Sequence, residues 1–317
     1  MSAIELIPNV YMIPGATNTG IIVDVVDDKK LVYLIDTGMN DKDGERILNE
    51  IDTLFPQEKG GYTLKAILNT HSHADHAGGN KFIKDKTNCE VWISYGEAGS
   101  LMNPDLQASI VCGGPIFREI QETRYLIANP CMPTNYISQN TQIFLSDGSK
   151  ITFKPLPGHY FDMMGVLYTN TKGQTVFFAG DAVFGQAHIL KYWIPFLYDV
   201  EQFKLTLEML SNTYYDHYIP SHGEHITRIQ ETTELNMIAI LSTEYCVLSE
   251  LQKQELNKDE LVKRIANRNE INFKLEQYAL INCTINAYLA YLRDKKRIDC
   301  KIKDNQLVWY ALQKKQD

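Results

Sequence analysis

The chain has 317 residues, of which 44% are hydrophobic and 22% charged, and its net charge is −8. This length and apolar content predict a large core and more than one domain. No apolar run approaches the roughly 20 residues that cross a bilayer, and the N-terminus lacks a basic stretch followed by an apolar one, so we expect no membrane span and no secretory signal. The 6 cysteines are dispersed without a Cys-x-x-Cys pair, which favours reduced thiols and a cytoplasmic location.

The first part of the chain alternates between strand and helix patterns. Short apolar runs predict strands at residues 10–13, 20–26, 30–35, 64–68 and 91–94. Between residues 41 and 55, Ile47, Leu48, Ile51 and Leu54 recur at helical spacing, which predicts an amphipathic helix. This alternation favours an α/β fold.

The strand at residues 64–68 leads into His71-Ser72-His73-Ala74-Asp75-His76, where four of six side chains can bind metal. Loops at the ends of buried strands are where α/β proteins usually place their chemistry. Imidazole and carboxylate together suit zinc, iron or manganese better than calcium or magnesium, which prefer all-oxygen shells. The run therefore predicts a transition-metal site, against the alternative of a polar turn that happens to be rich in histidine.

Residues 100–142 carry repeated Gly and Pro signals and form an insertion ahead of the next strands. Because the insertion precedes the strand that leads to a further histidine, it could overhang the metals as a lid. A packed surface excursion or a dimer contact is an equally weighted interpretation.

Three further candidate ligands, His159, Asp181 and His222, each follow a predicted strand and stand beside a glycine. The repetition of one local context indicates a site assembled at one edge of a sheet. Neighbouring aromatic residues are candidates for an apolar substrate wall, although core packing explains such side chains as often. These aromatic candidates are Tyr160, Phe161, Tyr192 and Trp193.

The C-terminal part, from about residue 228, has a different pattern. Helices are predicted at residues 231–254, 258–267 and 275–294, followed by strands at 297–303 and 306–311, an order that resembles a winged helix. Residues 228–317 hold 15 Lys and Arg against 13 Asp and Glu, whereas the preceding part holds 16 against 26. Because nucleic-acid binding depends on clustered cations, we interpret this part as a packing or dimerisation module rather than a nucleic-acid reader.

Five ordered elements resemble the metallo-β-lactamase fold superfamily. They are Asp36 after an early strand, the run at residues 71–76, His159 after a glycine, Asp181 and His222. The resemblance spans about residues 5 to 225 and implies an αββα sandwich. It implies a catalytic domain over residues 1–227, with residues 228–317 as a winged-helix-like domain. The same appendage occurs in the β-lactamase-like protein 2 family, which includes ribonucleases.

The resemblance also implies two divalent metal ions. Carried over residue by residue, His71, His73 and His159 would hold one ion, while Asp75, His76 and His222 would hold the other. Asp181 would bridge the two, and Asp36 would orient a ligand imidazole, form an Asx turn, or do both. Zinc is the first expectation, with iron or manganese as alternatives.

The implied chemistry is hydrolysis of a small ester, thioester or lactone by a metal-bridging hydroxide that Asp75 and Asp181 orient. Classical β-lactamases of this fold have Cys at the place of Asp181, so β-lactam hydrolysis is not expected. An Asp there resembles glyoxalase II, the acyl-homoserine lactonases and the nucleases. Two alternatives stay open, a metal-dependent phosphodiesterase or ribonuclease and a mononuclear iron enzyme similar to the persulfide dioxygenases. The expected partner is a small molecule, and a homodimer is left open.

Overall fold

Two β-sheets packed face to face form the centre of the molecule, for which the computed structural model describes residues 2–114, 118–121, 127–191 and 194–312. In spatial order the first sheet contains β1 (Ile4–Ile7), β2 (Val10–Ile13), β3 (Thr19–Val26), β4 (Lys29–Ile35), β5 (Thr63–Leu68), β6 (Glu90–Ser94) and β7 (Asn135–Ile137). The second contains β12 (His217–Pro220), β11 (Thr175–Gly180), β10 (Met164–Thr169), β9 (Lys150–Pro155) and β8 (Gln142–Phe144).

Central strands of the first sheet bury side chains on both faces because each face is covered. In β3, Ile22 enters the core between the two sheets, while its neighbours Ile21 and Val23 enter a second core on the other face. This alternation follows from the two-residue period of a strand. A one-sided amphipathic pattern is therefore absent from residues 20–23 of β3, which read as a continuous apolar run ahead of Asp24.

Helices cover the outer faces of both sheets. The α-helices of the described ranges are α1 (Asp41–Leu54), α2 (Ala74–Ala77), α3 (Asn80–Thr87), α4 (Tyr95–Met102), α5 (Asp105–Cys112), α6 (Arg118–Gln121), α7 (Gln186–Lys191), α8 (Val200–Ser211), α9 (Ile229–Lys253), α10 (Lys258–Arg268) and α11 (Leu275–Asp294). On α1, Ile47 and Ile51 are buried against the first sheet, and the Asn40 side chain caps the helix by accepting from the backbone N–H of Lys42. Helices α8 and α9 pack on the second sheet, so the predicted αββα sandwich is confirmed. None of the helices within these ranges has the length and apolar character to cross a membrane.

The C-terminal region contains the predicted helices and hairpin, together with one short additional strand. Strand β13 (Leu256–Asn257) joins β14 (Ile298–Lys303) and β15 (Gln306–Ala311) in a sheet ordered β13-β15-β14. One buried cluster contains Phe203 and Leu207 of α8 together with Val247 of α9 and Tyr288 of α11. The boundary between residues 227 and 228 and the winged-helix-like identity stay predictions, and the core is continuous across that boundary.

The described part of the insertion packs against the C-terminal region. Ala108 and Val111 of α5 contact Ala279 of α11 in a small buried cluster. The proposed lid stays a prediction, since residues 115–117 and 122–126 lie outside the described ranges.

Candidate metal centre

Five strands deliver the candidate residues to one edge of the sandwich. Strands β4 and β5 are parallel, and so are β11 and β12, while β9 runs in the same direction as β11 because both are antiparallel to β10. The carboxyl ends of strands with one direction meet at the same edge. Asp36, the run at residues 71–76, His159, Asp181 and His222 follow those five ends.

The structure brings all seven predicted ligands together. Three overlapping groups have their donor atoms within 4.8 Å of one another: His71, His73 and His159; His71, His76 and Asp181; and Asp75, His76 and His222. The Asp181 carboxylate lies between the outer groups, since its Oδ2 is 3.3 Å from Nε2 of His159 and 3.5 Å from Nε2 of His222. Its Oδ1 lies 3.4 Å from Nε2 of His76.

Several donor atoms of this cluster are buried and have no hydrogen-bond partner among the described residues. They are Nε2 of His71, Nε2 of His76 and Oδ1 of Asp181. An unpaired buried polar atom is costly, so a native structure normally satisfies it. The chemistry of the set, imidazoles with carboxylates, fits divalent transition metals. We therefore find that the residues present fit the implied metal ions.

Asp36 lies behind the ligand loop and contacts two of its members. Its backbone has φ of +57°, a left-handed conformation that Asp tolerates better than most residues. Oδ1 accepts from the backbone N–H of Thr70 at 2.8 Å, and Oδ2 accepts from Thr70 Oγ1 at 2.7 Å and lies 2.9 Å from Nδ1 of His76. Because the Thr70 hydroxyl donates to Asp36, it can accept from Nδ1 of His71 at 3.1 Å. The Asp36 carboxylate thereby fixes the Nδ1 side of His76 directly and that of His71 through Thr70, so that Nε2 of each imidazole points into the site.

Backbone carbonyls orient two other imidazoles in the same way. Nδ1 of His159 donates to the carbonyl of Phe196 at 2.9 Å, and Nδ1 of His222 donates to the carbonyl of Ala16 at 2.7 Å. The remaining imidazole differs, because Nδ1 of His73 faces Nε2 of His159 at 3.0 Å. A hydrogen bond between the two rings accounts for this spacing in the metal-free chain, and both residues belong to one group of potential ligands.

Burial and charge divide the cluster into two electrostatic types. Burial lowers the pKa of His71 and of His73, so both imidazoles are neutral and offer a lone pair at neutral pH. Burial alone would lower the pKa of His222, but the Asp181 carboxylate raises it to about 10. Burial would raise the pKa of Asp181, yet the facing imidazoles of His222 and His76 hold it well below its usual range. In the metal-free chain at neutral pH, His71 and His73 are therefore neutral whereas His222 is protonated, so a cation bound at Nε2 of His222 would displace that proton.

The predicted aromatic wall divides into buried and exposed members. Tyr160 is 0% exposed and its ring centroid lies 4.3 Å from that of His73, whereas Phe161 is half-buried. Phe161 contacts Tyr198, which is 44% exposed, with ring centroids 4.4 Å apart. Phe196 also contacts the ligands, with its ring centroid 5.5 Å from that of His73. Tyr192 and Trp193 lie outside the described residues, and the wall stays a prediction.

Sequence reasoning assigned no role to three residues that the structure places at or beside the cluster. The Thr70 hydroxyl lies between the Asp36 carboxylate and Nδ1 of His71 and contacts both. Glu97 is fully buried and accepts a hydrogen bond from Ser72, in the loop that carries His71 and His73. His188 stacks on His222 with ring centroids 4.9 Å apart. No spacing or periodicity in the sequence marks these positions, since each contact joins separate segments or depends on side-chain direction.

Comparisons with known proteins agree with this geometry. Residues 12–222 match the sequence profile of the Metallo-beta-lactamase superfamily. A hydroxyacylglutathione hydrolase of Rhodospirillum rubrum is 31% identical over 136 residues, which are 40% of this chain and 52% of that protein. Another, from Haemophilus influenzae, is 28% identical over 160 residues, 50% of this chain and 64% of that protein. The match thus spans about half to two thirds of the length of these relatives.

Solved structures resemble the whole chain. A beta-lactamase domain protein from Burkholderia ambifaria has a TM-score of 0.73 at 14% identity and covers 98% of this chain and 95% of its own. A metallo-beta-lactamase family protein from Thermus thermophilus has a TM-score of 0.72 at 17% identity and covers 97% of this chain and all of its own. At these identities the likeness establishes the fold, and it includes the C-terminal region.

Proposed function

The chain belongs to the metallo-beta-lactamase superfamily, and from that premise we propose that it is a metal-dependent hydrolase of a small ester, thioester or lactone. The convergence of buried, unpartnered imidazole and carboxylate atoms on one edge of the sandwich carries this proposal. Relatives named hydroxyacylglutathione hydrolase make thioesters the first class of substrate to examine.

We infer two ion sites from the donor groups. His71, His73 and His159 would hold one ion and Asp75, His76 and His222 the other. Asp181 would contribute to both, since its carboxylate lies within 3.5 Å of Nε2 of His159 and of His222. When bound, divalent cations polarise a substrate carbonyl and lower the pKa of water. Zinc is the proposed metal, with iron or manganese accepted by the same ligands.

The two carboxylates differ in access to solvent, which suggests separate roles. The Asp181 side chain is 5% exposed and is enclosed by His76, His159 and His222, so it orients reacting groups within the site. The Asp75 side chain is 20% exposed and lies 3.2 Å from Nε2 of His222. A proton accepted at Asp75 Oδ2 can therefore pass to solvent. The Asp181 carboxylate is less exposed and exchanges protons with solvent less readily.

We also propose that residues 228–317 form a winged-helix-like domain that supports one wall of the site. Thr284 of α11 accepts from the backbone N–H of Leu197 at 3.3 Å. The adjacent carbonyl, that of Phe196, accepts from Nδ1 of His159. The C-terminal region thus contacts the loop that orients a proposed metal ligand, and its nearly balanced charge suits packing better than nucleic-acid binding.

The first test is metal content and absorbance of protein purified without added metal, followed by hydrolysis assays with thioesters, lactones and phosphodiesters. We expect about two zinc or manganese ions per chain, no visible band, and hydrolysis of a thioester or lactone. One iron per chain with a visible band, oxygen uptake and no hydrolysis would contradict the proposal.

Substitution of Asp181 tests the site residues directly. Asp181→Asn removes the charge between the donor groups, and we expect kcat to fall by about 10²-fold or more. Asp216→Asn is the matched control, because this exposed carboxylate accepts from Thr175 away from the site. Equal activity in both variants would exclude the assigned role of Asp181.

A further inference from the structure

Glu97 is a fully buried carboxylate that the metal-site chemistry does not use. It lies in the first turn of α4 and is 0% exposed. No ion pair involves Glu97 in the part of the chain that the structure describes, and burial raises the pKa of its carboxyl to about 7. A buried carboxylate without a countercharge is destabilising, so its hydrogen bonds must account for its presence.

These hydrogen bonds join the two loops that carry the first group of ligands. Oε2 of Glu97 accepts from Ser72 Oγ at 2.5 Å and from Ser72 N–H at 3.2 Å. Oε1 accepts from the backbone N–H of Asp162 at 3.1 Å. Ser72 stands between His71 and His73, and Asp162 is three residues beyond His159.

The ligand loop explains why Ser72 is an effective point of attachment. Between the end of β5 and the start of α2, the chain alternates in direction, so that His71 and His73 face the site while Thr70 and Ser72 face away. The Asp36 carboxylate binds Thr70, and the Glu97 carboxylate binds Ser72. Each residue on the far side of the loop is therefore held by one buried acid.

A reciprocal contact fixes α4 to the second loop. The Asp162 carboxylate accepts from the backbone N–H of Gly96 at 2.9 Å, next to the bond that Glu97 makes in the opposite direction. A Cβ at position 96 would approach Cβ of Asp162 to 2.7 Å, so glycine is needed for this close packing. The pair of contacts sets the distance between α4 and the loop that follows His159.

From this geometry we propose that Glu97 is a positioning residue that holds the loops of His71, His73 and His159 in their metal-binding arrangement. The inference rests on the proposed metal centre and adds a residue that touches no metal ligand side chain. Both carboxylate oxygens are required, because each accepts from a different loop. A glutamine side chain has only one acceptor oxygen. Its NH2 group would face a backbone N–H of one loop, so that two donors would meet without an acceptor between them.

The test is zinc affinity of the metal-free protein, measured by competition with a chromophoric chelator. We expect Glu97→Gln to bind zinc about 10-fold or more weakly, the range seen when the partner behind a metal ligand is removed. Ser72→Ala, which removes only the hydroxyl donor, should reduce zinc affinity by a smaller factor. This second variant keeps the test decisive if Glu97→Gln does not fold. Glu250→Gln is the control, because Glu250 is 5% exposed in α9 and pairs with Arg264 and Arg268, apart from the ligand loops.

The outcomes separate this inference from the proposed function. Zinc affinity within twofold of wild type in both Glu97→Gln and Ser72→Ala would overturn the positioning role while the metal centre stands. Weaker zinc binding in Glu97→Gln, with wild-type affinity in Glu250→Gln, supports the role even if no substrate is hydrolysed, in which case only the proposed activity fails. A wild-type protein that binds no zinc, manganese or iron overturns both.

Discussion

Asp36 and Glu97 show how individual acidic residues can shape a site without touching its reacting atoms. Each is 1% exposed or less, and each binds a residue on the outer side of the ligand loop, Thr70 for Asp36 and Ser72 for Glu97. They differ in their surroundings. The carboxylate of Asp36 meets an imidazole of His76, whereas that of Glu97 meets hydrogen-bond donors that carry no charge.

This difference predicts how stability varies with pH in the metal-free protein. The pKa of Glu97 is about 7 in the folded state and 4.5 in the ordinary reference, so the folded chain binds more protons between these values. Folded-state stability contributed by Glu97 therefore falls as pH rises from 4.5 to 7, by about 3 kcal/mol at most. Asp162 and Tyr160 also face Glu97, and both remain in Glu97→Gln.

Denaturant unfolding of wild type and Glu97→Gln at pH 5 and pH 8, with chelator present, measures this effect. We expect the free energy of unfolding of wild type, relative to the variant, to be smaller at pH 8 than at pH 5. The ligand imidazoles are common to both proteins, so their titration cancels in the difference. A constant difference across pH would show that Glu97 stays ionised, contrary to the raised pKa.

Among the structural elements, the strand-to-loop junctions determine where the ligands stand. After β9 the chain turns at Gly158, with φ of +128°, and the next residue is His159. At this point the backbone approaches α8 closely, since the N–H of Asp199 donates to the Gly158 carbonyl and an added Cβ would lie 2.3 Å from the backbone nitrogen of Phe203. Glycine is required here both for the dihedral angle and for the space.

Gly158→Ala should therefore be strongly destabilising. The new methyl group meets backbone of α8 rather than a flexible side chain, and we expect a loss of about 3 kcal/mol or more in the free energy of unfolding. Gly173→Ala provides the control, because Gly173 also has positive φ, +83°, but nothing lies within 4 Å of its Cβ position. That variant should lose only about 1 to 2 kcal/mol from the backbone strain. Similar losses in the two variants, measured by denaturant unfolding, would show that the contact with α8 contributes little.

At the scale of the whole molecule, the C-terminal region and the second sheet share one core. Phe203 and Leu207 of α8 are buried in the same cluster as Val247 and Tyr288. Lys204 of α8 also pairs with Glu244 of α9 at 3.2 Å. The region therefore covers apolar surface that the sandwich alone would expose to water.

Truncation after residue 227 tests whether the boundary predicted from sequence separates independent domains. We expect residues 1–227 alone to aggregate or to lose cooperative unfolding, because the apolar face of α8 would become exposed. Solubility, circular dichroism and thermal unfolding of the shortened chain measure this. A soluble fragment with a cooperative transition would instead support a boundary at residue 227 and an independently stable sandwich.

Local sequence patterns predicted much of the fold and all of the candidate ligands. The apolar runs that became β3 and β5 and the helical spacing of α1 depend on neighbouring residues, so periodicity alone reveals them. The candidate ligands were visible for a related reason, since imidazoles and carboxylates at strand ends form an ordered pattern along the chain. Weaker elements such as β8 and β10 were missed, because their burial depends on the partner strands beside them.

By itself the sequence identified the seven residues that converge, because each carries a local signal in residue type and position, and its resemblance to the metallo-β-lactamase superfamily implied the αββα class. Only the tertiary structure decided which groups hold those residues in place. The contact of Glu97 with Ser72 spans 25 residues and that with Asp162 spans 65. The contact of Thr284 in α11 with Leu197, the residue after the carbonyl partner of His159, spans 87 residues. Such contacts follow from how sheets and helices pack in three dimensions, and no periodicity along the chain encodes them.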